Sequence, residues 1–78
     1  MSDTIDIMTS YRIYCRLPGK RNASPLGGGA LVSNLIHADI FEVRTESDAE
    51  RLLRKLDNLA SANPGKWELR KAKGWPLT

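Results

Sequence analysis

A single cysteine, Cys15, occurs in the chain, so no internal disulfide can form. This excludes the small secreted scaffolds that cystine bridges hold together, and it suits a reducing compartment. Histidine is equally sparse. His37 has Asp39 two residues away and no third ligand at a usable spacing, so neither a metal site nor an acid–base pair is specified. Long apolar runs are missing. The longest stretch without a formal charge, residues 22–38, contains Pro25 and Gly27 to Gly29 and cannot span a bilayer. The first ten residues carry Asp3 and Asp6 and no apolar core, so no secretory leader is predicted. The acceptor-like Asn22-Ala23-Ser24 is discounted for the same reason. Leu17-Pro18-Gly19-Lys20-Arg21 followed by Gly27-Gly28-Gly29 is not a phosphate-binding loop, because no Gly-Lys-Ser/Thr opens a helix. No internal repeat is present. These absences predict a soluble cytoplasmic protein with no cofactor, no metal and no membrane partner, and with no catalytic residue.

What is present is one segment of clear helical periodicity, Thr45 to Asn63. Ala49, Leu52, Leu53, Leu56, Leu59 and Ala60 form a stripe at helical spacing, while Glu50, Arg51, Arg54, Lys55, Asp57 and Asn58 take the other side. Ser47 with Glu50 is the first candidate capping box and Thr45 with Asp48 the second. Asn63-Pro64-Gly65 stops the helix.

Three extended stretches surround that helix. Ser10 to Leu17 alternates with period two, placing Tyr11, Ile13, Cys15 and Leu17 on one face and Arg12, Tyr14 and Arg16 on the other. Cys15 is thereby assigned to the core. Pro18 to Gly29 is predicted as one loop, in which the glycines either allow close backbone approach or mark flexibility. Ala30 to Val43 is predicted as a second strand with a bulge near Asp39 to Phe41, since its apolar parity changes there, and with a break near Asn34. Lys66 to Lys73 is the last strand, with Trp67 and Leu69 facing the helix and Lys66, Glu68 and Arg70 facing away. The predicted fold is α+β: a two-layer ββαβ domain over residues 10–73, between tails 1–9 and 74–78. Its three-stranded antiparallel sheet runs in the order 2-1-3, with one amphipathic helix on one face. Trp75 is expected to fold back over the sheet edge.

One helix cannot cover both faces of a sheet. The uncovered face should carry Arg12, Tyr14, Arg16, Lys66 and Arg70, supported by Lys20 and Arg21 on the loop. The formal charge of +3 favours anionic partners without naming one. Arginines interleaved with an aromatic suit a protein interface, where Arg and Tyr are enriched, and equally a single-stranded nucleic acid. A solvated polar face is the bland alternative. A homodimer is the third expectation, because an open face and two sheet edges call for cover.

The segments YRIYCRLPGKR, NLIHADIF and NPGKWELRK, with the intervening helix, resemble short accessory proteins of bacteriophages and prophages over Tyr11 to Lys71. The resemblance implies a small, single-domain, non-enzymatic protein that binds a host protein or complex. Inhibitors of host defence, including CRISPR–Cas inhibitors, belong to that group. The basic charge departs from the acidic inhibitors that mimic DNA. The resemblance implies no catalytic residue.

Overall fold

A computed structural model describes residues 5–72. The chain is α+β, with one helix packed on an antiparallel sheet. Its elements are β1 (Thr9–Arg16), β2 (Ser24–Gly27), β3 (Ala30–Leu31), a 3₁₀ turn (Leu35–His37), β4 (Phe41–Val43), α1 (Glu46–Ala62) and β5 (Lys66–Lys71). The sheet thus has five strands where three were expected.

β1 is the central strand. β5 pairs with it from Tyr11 to Arg16. The opposite edge of β1 is shared, with β4 taking Thr9 to Tyr11 and β2 taking Tyr14 and Cys15. β3 then adds to β2. Since β4 and β5 both run antiparallel to β1, they are parallel to each other, and α1 crosses over β1 to join them. The first strand is at the centre with the last strand beside it. The expected ββαβ order is not met: the predicted loop, Pro18 to Gly29, contains β2, and the predicted second strand, Ala30 to Val43, is divided into β3, the 3₁₀ turn and β4.

Two local causes divide it. The Asn34 side chain accepts the Ile36 N–H at 3.0 Å and starts the 3₁₀ turn, the competition with strand pairing that a short polar side chain allows. That turn, and not a bulge, absorbs the change in apolar parity. Upstream, Gly28 (φ 61°) and Gly29 (φ 88°) form the two-residue turn joining β2 to β3, a geometry in which both positions favour glycine. Gly27 serves a different purpose. A Cβ built there would lie 2.0 Å from the His37 carbonyl oxygen, so the backbones of β2 and the 3₁₀ turn touch. Asp39 locks this contact by donating its N–H to Leu26 O at 2.9 Å and accepting the Gly28 N–H on Oδ2 at 3.0 Å. The carboxylate considered beside His37 is therefore a turn clamp, and His37 is exposed.

The helix begins at Thr45. Its side chain accepts the Asp48 N–H at 3.1 Å, and Asp48 returns the bond by accepting the Thr45 N–H at 3.2 Å. This second candidate box replaces Ser47 with Glu50, because Thr45 is the residue with extended backbone at the helix entry. The Arg44 N–H also donates to Asp48 at 2.9 Å. That bond, joined by those from Thr45 and by the Arg51 guanidinium, holds the carboxyl below the ordinary aspartate range.

Tyr11, Ile13, Leu26, Val43 and Leu52 form the core, with Ile5, Phe41, Ala49, Leu56, Leu59, Trp67 and Leu69 packed against it. The helical stripe is narrower than expected. Leu52 is buried and Leu56 and Leu59 half-buried, but Leu53 is 39% exposed and Ala60 is exposed. Leu17 also leaves the core, since β1 ends at Arg16. Cys15 is buried as expected. Its thiol lies 3.7 Å from Pro64 O, and burial raises its pKa. The segment before β1 is tied to the domain: the Asp6 N–H donates to the Tyr11 hydroxyl at 2.7 Å, and the Asp6 carboxylate pairs with Lys71. Among the described residues, no helix is long and apolar enough to cross a membrane. Trp75 lies outside the described residues.

Candidate interaction surface

The face of the sheet opposite α1 is built by cross-strand register. Arg16 stands opposite Lys66, Tyr14 opposite Glu68, and Arg12 opposite Arg70. The two outer rungs therefore set cation against cation. Like charges directly opposite each other destabilise an antiparallel pair. Glu68, on the middle rung, pairs with Arg70, whose guanidinium carbon sits 4.3 Å from the centre of the Tyr14 ring. Arg70 is thus held from two sides, by charge and by the ring face.

A cleft of about 520 Å³ opens on this face. Arg16, Arg21, Lys66 and Arg70 line it, with Glu68 and Asn22. Arg21 is delivered by the segment between β1 and β2, which returns along β1 at Ser24 and Pro25. Lys20 is set apart from the cleft. It shares a second hollow with Arg16 and Lys66, where its N–H donates to Leu17 O at 3.0 Å. Arg12 lies at the closed end of the face. Ser10 and Ala72 are buried there, and Arg12 is half-buried, with Nε shielded and unpartnered among the described residues. The face expected to be open along its whole length is open at one end.

Of the residues singled out in the sequence, Arg16, Arg21, Lys66 and Arg70 come together in one cleft. Tyr14 lies beneath Arg70, Lys20 is around the corner, and Arg12 is withdrawn. Glu68 was placed on this face but not singled out. Its spacing of two from Arg70 on one strand face was the signal. Four cations gather near one carboxylate, an arrangement that can hold carboxylates or phosphates of a ligand by charge-assisted hydrogen bonds.

A second concavity, of about 650 Å³, lies between α1 and β4 and was not anticipated. Ile40, Phe41 and Leu59 are in its walls, and Arg51, Arg54 and Lys55 stand along the helix side. Among the described residues, no group of three or more His, Cys, Asp or Glu is placed to hold a metal. No family model, no curated protein and no solved structure matches the chain.

Proposed function

We propose that this protein is a small non-enzymatic interaction module that receives an acidic patch of a partner protein in the cleft of Arg16, Arg21, Lys66 and Arg70, and acts by occluding that patch. The like-charge rung of Arg16 opposite Lys66, with Arg21 beside it in the cleft, carries this reading. In the free protein these cations repel, and an external anion relieves the repulsion. Carboxylates match the planar guanidinium groups in pairs. The resemblance to phage accessory proteins supports a host protein or complex as the partner.

Nucleic acid phosphates would also relieve this repulsion. The Tyr14 ring argues against a base-stacking platform, because Arg70 already covers one face of it. A second copy of the chain is the weakest occupant, since the face would set the same cations against each other.

Capture from a bacterial lysate on immobilised protein, with and without nuclease, tests the proposal. The partner is expected to survive nuclease and moderate salt and to be lost on Arg16→Glu with Arg70→Glu. Capture abolished by nuclease, with a steep salt dependence, would replace this reading with phosphate binding. Capture unchanged by the double substitution would refute the cleft as the site.

A further inference from the structure

The groove between α1 and β4 follows one flank of the helix from Asp48 to Asn63. At 1.5 Å per residue that wall is about 22 Å long. Ile40, 46% exposed, and half-buried Phe41 and Leu59 give the groove an apolar base. Its charges are one-sided. The carboxylates in its walls are engaged: Asp48 accepts the Arg44 and Thr45 N–H groups, and Glu42 pairs with Arg44 at 2.8 Å. Arg54 and Lys55, in contrast, have no carboxylate within ion-pair distance among the described residues. The Lys55 ammonium lies 5.9 Å from the centre of the Phe41 ring, at the boundary of the apolar base.

We propose that this groove is a second binding site, which docks an acidic amphipathic helix of a partner protein. Its apolar side chains, at spacings of three and four, enter between Phe41 and Leu59, and its flanking carboxylates meet Arg54 and Lys55. Helix-in-groove docking needs a long apolar channel with polar borders, which this flank of α1 supplies. Strand addition is the poorer mode, because β4 offers an edge of three residues only. A second copy's α1 is a poor occupant, since its outer flank carries the same Arg51, Arg54 and Lys55. The site is separate from the cleft on the opposite face of the sheet, so one chain can bind two surfaces.

Selection from a displayed library of random helical peptides tests the site. Enriched peptides are expected to carry apolar residues at i, i+3 or i+4, and i+7, flanked by Asp or Glu. Arg54→Glu with Lys55→Glu should weaken them about tenfold or more, while a lysine-flanked version of the same peptide gains affinity for that variant. Amide shift changes on adding a selected peptide should centre on Phe41 and Leu59. No enrichment, enriched peptides without acids, affinity unchanged by the double substitution, or shifts confined to the Arg16 and Arg70 face would each overturn the proposal. Both substituted positions are exposed, and a thermal melt of the variant verifies that it is folded.

Discussion

Gly27→Ala should destabilise the domain more than alanine at either neighbouring glycine. The new Cβ would sit 2.0 Å from His37 O and 2.9 Å from its carbonyl carbon. Both atoms are main chain, so no side chain can swing aside. The 3₁₀ turn must move by about 1 Å merely to bring the oxygen to 3.0 Å, and that motion pulls on two hydrogen bonds, Asp39 N–H to Leu26 O and Gly28 N–H to Asp39 Oδ2. Each bond is worth about 0.5–1.5 kcal/mol, and forcing atoms into a packed contact costs about 1–3 kcal/mol more. The expected loss is therefore about 2–6 kcal/mol, against a total stability of roughly 4–12 kcal/mol for a chain of this size. Gly28 and Gly29 have open space where a Cβ would go, and only their positive φ resists substitution, at about 1–2 kcal/mol each. Asn at position 28 should cost less than Ala, because Asn tolerates that backbone. Urea unfolding followed by tryptophan fluorescence should rank the midpoints as wild type, Gly28→Asn, Gly28→Ala, then Gly27→Ala, with one common slope. A Gly27→Ala protein within about 0.5 kcal/mol of wild type would refute the close backbone contact and leave the triplet as flexible chain.

Arg16→Glu replaces a like-charge rung with an ion pair to Lys66, so it should raise stability by roughly 0.2–1 kcal/mol while partner capture is lost; lower stability in low-salt urea titrations would contradict the register. Leu52→Ala, at the centre of the core, should cost about 2–5 kcal/mol in the same titrations, whereas exposed Leu53→Ala should cost far less; equal losses would mean that both leucines face the sheet. The Asp48 carboxyl is held low by backbone N–H groups, so its contribution is full above the ordinary value of 3.8 and is lost as the pH falls through the lower folded value. The advantage of wild type over Asp48→Asn in thermal melts should shrink below that pH, and an advantage independent of pH would refute the charged capping box. Cys15 is 1% exposed, with its thiol pKa raised by burial, so a thiol reagent should label the native protein at least about a thousandfold more slowly than the urea-unfolded chain. Labelling at the unfolded rate would place Cys15 outside the core.

Features that depend on neighbours within a few residues are legible in the chain's local pattern. Alternation along Ser10 to Leu17 is enough to send Tyr11, Ile13 and Cys15 inward and Arg12, Tyr14 and Arg16 outward, because a strand repeats every two residues. The leucine spacing and Asn63-Pro64-Gly65 likewise delimit α1. The same local logic placed Lys66 and Arg70 on the face of Arg16. It failed where two local signals competed. Asn34 turned an apolar, β-branched run into a 3₁₀ turn, and Gly28-Gly29 made a hairpin whose flanking strands are too short to show a period. The rest follows from strand pairing, which joins residues far apart in the chain. Register set Arg16 against Lys66 and Arg12 against Arg70 and brought Arg21 to the cleft, and packing left the groove between α1 and β4. Hydrogen bonds between distant segments carry no trace in the spacing of either segment, so periodicity could place these cations on one face but could not show which of them would meet.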